Sequence, residues 1–188
     1  GTIASGTYAI VANTGNRKVL DVSGGSSSNG ANVQLYASNA TEAQRWRVLE
    51  DEQGFLTFTC VKSGKVLDVV SGAKKAGTNV QQWESNGTLA QKWIAVSEGD
   101  GSVTLHSALD EKLVLDVSGG SGANGANIQV YSANRTVAQR FSFVSSSVEP
   151  VKGEQVFANG AYTLVSSTGV AADAGEVGPE GSRVRTAS

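Results

Sequence analysis

The stretch from Leu20 to Trp46, LDVSGGSSSNGANVQLYASNATEAQRW, recurs twice more without a gap, as LDVVSGAKKAGTNVQQWESNGTLAQKW from Leu67 to Trp93 and as LDVSGGSGANGANIQVYSANRTVAQRF from Leu115 to Phe141. The three starts lie 47 and then 48 residues apart. Recurrence at this period restricts the chain to one supersecondary unit used three times, because a unit this small cannot bury its apolar face without its neighbours. Function is therefore to be sought in the unit.

Each copy opens on an apolar-acid-apolar triplet: Leu20-Asp21-Val22, Leu67-Asp68-Val69 and Leu115-Asp116-Val117. A loop of Gly, Ser, Asn or Lys follows, and then a short alternating run with the spacing of a strand, Val33-Gln34-Leu35-Tyr36, Val80-Gln81-Gln82-Trp83 and Ile128-Gln129-Val130-Tyr131. Every copy ends on Gln-basic-aromatic: Gln44-Arg45-Trp46, Gln91-Lys92-Trp93 and Gln139-Arg140-Phe141. In these residues the chain resembles the ricin-type lectin β-trefoil, whose signature is a Gln-x-Trp in each of three repeats. The resemblance implies an all-β, pseudo-threefold trefoil of about twelve strands. No helical period of useful length competes with it.

Composition agrees with a chain of short strands and tight turns: 23 glycines and two prolines in 188 residues. Asn29-Gly30, Ala76-Gly77 and Asn124-Gly125 precede the second hairpin strand, where a turn with positive φ is expected. The first strand is read at Thr7 to Val11, with counterparts at Phe55 to Phe58 and Val103 to His106, and alternation aligns Ile10 with Phe58 and Leu105. The expected core is Leu20, Val22, Val33, Leu35, Trp46 and Val48 with their repeats, including Phe141 and Phe143. Gln82 stands where the other copies have Leu35 and Val130, so either that position is only partly buried or the second unit is distorted.

The repeats are expected at about 6–53, 54–101 and 102–147. The pattern changes after Val144: Ser145 to Pro150 has linker composition, and Gly160-Ala161-Tyr162-Thr163-Leu164-Val165 copies Gly6-Thr7-Tyr8-Ala9-Ile10-Val11. Residues 148–188 thus read as a linker and the start of a second, truncated trefoil, a partial repeat expected to be disordered or to contact a neighbouring domain or chain, by draping over the first domain or adding strands to a neighbouring copy. With no methionine at residue 1 or elsewhere, the sequence reads as a piece of a longer chain.

The net charge of -2 is spread along the chain, without the concentrated basic face of a nucleic-acid binder. No apolar run reaches membrane-spanning length. Cys60 is alone, so an intrachain disulfide is excluded. Many ricin-type lectins carry a disulfide in each repeat, and Ala37 and Glu84 stand in the region where one of its cysteines is often found. That departure points by analogy to a bacterial module. Catalysis finds little support, because His106 and Cys60 fall in non-equivalent copies and in expected strands; no cofactor or metal cluster is expected, and Gly24-Gly25 and Gly119-Gly120 open no helix.

A sugar site needs an aromatic plate for the apolar face of the ring and carboxylate or amide groups for its hydroxyls. Tyr36, Trp83 and Tyr131 supply plates, each 15 residues after Asp21, Asp68 or Asp116. The resemblance implies that these acids and aromatics are the ligand contacts, in one shallow pocket per repeat. Asn39, Asn86 and Asn134 stand where related modules often present a further polar contact; a turn role explains them equally, and each also opens an Asn-x-Thr triplet. Gln44, Gln91 and Gln139 are read as braces behind the aspartate. Ala43, Ala90 and Ala138 replace a sugar-contacting Asn found in many ricin-type lectins, which favours a second reading, a protein-interaction or spacer trefoil with degenerate pockets.

The resemblance thus implies non-catalytic carbohydrate binding through up to three sites, directed at a polysaccharide or clustered glycan. The expected setting is a module of an extracellular or cell-surface bacterial protein, its parent being for instance a glycan-degrading enzyme.

Overall fold

Period-two alternation sends Ile10, Phe58 and Leu105 to one side of the first strand of each repeat, and all three are fully buried. Around them residues 1–146 form twelve strands. The first repeat gives β1 (Gly6–Ala12), β2 (Val19–Val22), β3 (Val33–Tyr36) and β4 (Trp46–Glu50). The second gives β5 (Leu56–Cys60), β6 (Val66–Val69), β7 (Val80–Trp83) and β8 (Trp93–Ser97), and the third β9 (Val103–Ser107), β10 (Asp110–Val117), β11 (Ala126–Ser132) and β12 (Phe141–Ser145). This computed structural model describes residues 1–146, plus the backbone of two paired two-residue strands, Val177–Gly178 and Ser182–Arg183. The linker and second trefoil expected at 148–188 lie outside the described residues, apart from those two strands.

The first and fourth strands of each repeat pair antiparallel in the cycle β1-β4-β5-β8-β9-β12, and β12 returns to β1 from Tyr8↔Ser145 to Ala12↔Phe141. A closed six-stranded barrel results, with no unpaired edge to template aggregation. The middle strands form three hairpins, β2–β3, β6–β7 and β10–β11, that cap one end. The fold is a β-trefoil. Among the described residues its helical features are single 3-10 turns, one pair per repeat.

Trp46, Trp93 and Phe141 are fully buried at equivalent places, with Leu20, Leu67 and Leu115. Each such side chain contributes about 1.5 to 3 kcal/mol by burial. The Trp46 and Trp93 indole N–H groups donate to the carbonyls of Leu20 (3.3 Å) and Leu67 (3.4 Å), a bond that Phe141 cannot make. Phe143 is only partly buried, edge-on to Tyr8 with ring centroids 5.6 Å apart. The expected turns are present, Gly30, Gly77 and Gly125 having φ of 84°, 90° and 86°.

Two polar features hold the cap together. Asn32, Asn79 and Asn127, one from each repeat, form a closed ring in which Nδ2 of Asn32 donates to Asn127 Oδ1 (2.8 Å), Asn127 to Asn79 (2.7 Å) and Asn79 to Asn32 (2.8 Å). Equivalent residues can bond cyclically only around the pseudo-threefold axis. The second feature corrects both readings of Gln82, which is fully buried in a repeat of undistorted topology. Its Nε2 donates to the carbonyls of Ser26 (3.0 Å) and Ser28 (2.9 Å) in the first repeat, and its Oε1 accepts from the Ser63 hydroxyl (2.8 Å). A buried amide so satisfied is tolerated where an unpaired one would not be.

Gln82→Leu restores the apolar residue of the other repeats yet removes the donor to the Ser26 and Ser28 carbonyls and the acceptor of the Ser63 hydroxyl proton. It is expected to lower unfolding free energy by about 1 to 3 kcal/mol in urea titrations.

Charge also joins the repeats. The Lys92 ammonium, 2.7 Å from Asp51, holds that carboxyl below its ordinary value, helped by the N–H groups of Phe55 and Gln53. The Ser102 hydroxyl and N–H, with Arg140 nearby, lower Asp100. A depressed folded value means stability that is complete above the unfolded value and is lost as pH falls through the folded one. The thermal midpoint should therefore drop as solutions are acidified below about pH 4, with a shallower slope in Asp51→Asn.

Candidate functional site

Leu20 and Val22 of β2 point into the core, so Asp21 between them faces the opposite side, and Asp68 and Asp116 are placed likewise. Hairpin register sets Gln34 directly across from Asp21, Gln81 from Asp68 and Gln129 from Asp116. Each of these glutamines donates Nε2 to the aspartate Oδ1, at 3.1, 2.9 and 2.9 Å respectively. The other oxygen, Oδ2, accepts from Gln44, Gln91 or Gln139, at 2.8, 2.9 and 2.9 Å. The acids are nearly buried, at 6%, 5% and 4% exposure, and two amide N–H groups face each carboxylate.

The glutamine of the Gln-basic-aromatic signature makes three hydrogen bonds. In the first repeat Gln44 Nε2 also donates to the Ala37 carbonyl (3.0 Å), while its Oε1 accepts the Asn39 N–H (2.8 Å). Gln91 and Gln139 repeat both contacts. One side chain thus ties the aspartate to the turn that follows the aromatic residue.

Tyr36, Trp83 and Tyr131 stand two residues beyond Gln34, Gln81 and Gln129, hence on the same face of the strand, and are exposed at 39%, 36% and 43%. Asn39 is exposed, and its Oδ1 accepts from the Thr41 N–H (3.1 Å) and hydroxyl (2.8 Å), as Asn86 and Asn134 do with Thr88 and Thr136. The oxygen is committed to an Asx turn. Among the described residues, Nδ2 of each asparagine has no partner.

All four side chains of each repeat line one surface cleft: Asp21, Gln34, Tyr36 and Asn39; Asp68, Gln81, Trp83 and Asn86; Asp116, Gln129, Tyr131 and Asn134. The clefts measure about 840, 480 and 530 Å³ in chain order. Ala43, Ala90 and Ala138 are buried in their floors. Reading the sequence missed Gln34, Gln81 and Gln129. Their signal was a glutamine in the second place of every alternating run, 13 residues after each acid.

Each arrangement offers a flat ring, the remaining lone pairs of a carboxylate fixed by two amides, and a free amide N–H. That set suits a neutral polyhydroxyl ligand with one apolar face. His106 and Cys60 are engaged elsewhere, His106 Nδ1 lying 2.7 Å from the Glu111 carbonyl and the buried Cys60 thiol 3.7 Å from the Glu42 carbonyl. Among the described residues no group of three or more His, Cys, Asp or Glu is placed to hold a metal, and no helix is long and apolar enough to cross a membrane.

Barrel, cap and three equivalent clefts define a trefoil of the lectin type. The family profile described as ricin-type beta-trefoil lectin domain-like matches residues 2–83 and 42–131. The chain belongs to that family. Among solved structures it is similar to the designed three-fold symmetric protein ThreeFoil, at 34% identity and a TM-score of 0.72, over 74% of this chain and 98% of that one. The Rhizoctonia solani agglutinin aligns at 25% identity and a TM-score of 0.70, over 77% of this chain and 97% of its own. The exo-beta-1,3-galactanase 1,3Gal43A from Clostridium thermocellum aligns at 32% identity and a TM-score of 0.71, over 76% of this chain but only 30% of the enzyme's. A search of curated proteins gave no match.

Gln139→Ala removes a donor to a nearly buried carboxylate and frees the Ser132 carbonyl and the Asn134 N–H. A loss of about 2 to 3 kcal/mol in denaturant-measured stability is expected, well above that of an exposed substitution such as Val144→Ala.

Proposed function

We propose that the chain is a non-catalytic carbohydrate-binding module with three clefts, one in each repeat. The observation that carries the reading is the threefold repetition of an exposed ring beside an aspartate whose two oxygens are both held by glutamine amides. Solvent-facing aromatics are common, but nothing in the packing of the core requires a half-exposed ring next to a fixed carboxylate in all three lobes. Tyr36, Trp83 and Tyr131 act as stacking plates, Asp21, Asp68 and Asp116 accept from sugar hydroxyls, and the free Nδ2 of Asn39, Asn86 and Asn134 donates at the rim.

A shallow site with one plate and a few hydrogen bonds holds a monosaccharide at about millimolar strength, roughly -4 kcal/mol. Three such sites on a rigid body gain avidity on a polymer or a clustered glycan, which are the natural targets. The alignment with less than a third of a galactanase supports a role as an accessory module in a larger glycan-degrading protein, acting outside the cell or at its surface.

Calorimetric titration with galactose, xylose, glucose and amino-sugar oligomers tests this reading. Tyr36→Ala, Trp83→Ala and Tyr131→Ala should each weaken binding at the affected cleft about tenfold, and the triple variant should be weakened about tenfold at all three clefts while keeping its thermal midpoint. Absence of binding to every glycan, with capture of a protein partner that the three substitutions leave intact, would instead establish the spacer reading that Ala43, Ala90 and Ala138 favour.

A further inference from the structure

The three clefts share a floor and differ in charge. We propose that the first is selective for an acidic sugar of the hexuronic acid class, and that the second and third take neutral sugars; the proposal rests on the carbohydrate-binding reading above. Two cations set the first cleft apart.

Arg45 is the basic residue of the first Gln-basic-aromatic triplet, and its counterparts are neutralised. Lys92 is 2.7 Å from Asp51, and Arg140 lies 3.6 Å from Glu98 and 3.5 Å from Asp100. Asp51 and Glu98 are the residues immediately after β4 and β8. The residue at that place after β12 is Ser146, so the threefold pattern supplies no acid for Arg45. Among the described residues Arg45 makes no ion pair, and its Nη2 donates only to the Ala40 carbonyl, at 3.3 Å, while the side chain lines the first cleft.

The second cation comes from the following repeat. Backbone bonds from Val61 N to Arg45 O (2.9 Å), Ala108 N to Lys92 O (3.0 Å) and Asn13 N to Arg140 O (3.0 Å) put residues 61, 108 and 13 in equivalent places. The next residues are Lys62, Leu109 and Thr14. Lys62 is exposed, lines the first cleft, and has no ion pair among the described residues; Leu109 lines the second cleft.

Two carboxylates oppose these cations. Asp21 is faced by the amide N–H groups of Gln34 and Gln44, which leaves Glu42 as the exposed anion of the cleft, where the other repeats have Leu89 and Val137. A guanidinium with five donors in a planar fork matches a carboxylate in both charge and shape. A uronate whose ring lies on Tyr36 would present its acid to Arg45 and Lys62, against the negative charges of Glu42 and Asp21. The opposite signs of Lys62 and Glu42 make the reading testable.

The experiment titrates the full chain with galacturonate and glucuronate against galactose and glucose, following the amide resonances of Gly24 and Gly25 for the first cleft and of Gly119 and Gly120 for the third. In the first cleft the uronate should bind about fivefold more tightly than its neutral partner, and 1 M salt should erase the difference. Lys62→Gln should lower the acid-to-neutral ratio and Glu42→Gln should raise it, with the third cleft unmoved by either. Equal affinities in the first cleft, a uronate preference shared by the third, or a ratio indifferent to both substitutions would overturn the proposal while leaving sugar binding intact. If neither acidic nor neutral sugars move either set of resonances, carbohydrate binding itself falls and the proposal with it.

Discussion

The ring of amides formed by Asn32, Asn79 and Asn127 fixes the register of everything above the barrel. These residues also bridge neighbouring hairpins through the backbone, Asn32 pairing with Gln81, Asn79 with Gln129 and Asn127 with Gln34. Their partners are the glutamines that hold Asp68, Asp116 and Asp21. Because a strand shifted by one residue turns its whole face over, a slip at the axis would point those glutamines into the core and strip each aspartate of a donor. Side-chain geometry in the clefts is thereby inherited from hydrogen bonds at the centre.

What could be read from the chain beforehand follows from which residues carry a repeated pattern with a single physical meaning. Leu20, Val33, Trp46 and their repeats are apolar at fixed spacing, and only burial explains that, so barrel and core were legible. Asp21 and Tyr36 with their counterparts were legible as neighbours in one cleft because an acid and a ring recur together. Asn32 and Gln34 recur just as faithfully, yet asparagine and glutamine are ordinary in turns and on strand faces, and their roles depend on partners in other hairpins. Gln82 was conspicuous for the opposite reason, as a break in the pattern, but its partners Ser26 and Ser28 lie in another repeat, beyond any local rule. The Asx turn at Asn39 sat between the two: the Asn-x-Thr spacing was visible, while the division of labour between its oxygen and its nitrogen required coordinates.

The symmetry is strict where the backbone is built and loose where the surface is charged. Carboxylate, paired glutamines and Asx turn recur in all three lobes with distances that agree within a few tenths of an ångström. Asn29 and Asn124 accept backbone N–H groups of the neighbouring repeat, from Glu84 and Ala37, and Ala76 leaves the third such link unmade. Interior positions are held to their type by packing and by the cost of unpaired buried groups. The place held by Lys62, Leu109 and Thr14 in turn is free to diverge, and Lys62 and Leu109 line the first and second clefts.

Because Lys62 borders the cleft of the first repeat but belongs to the second, and Leu109 borders that of the second but belongs to the third, neither of these clefts is built from a single repeat. Recombination that replaced one copy would transmit a floor from one parent and a flank from another, altering two clefts at once and creating combinations that neither ancestor possessed.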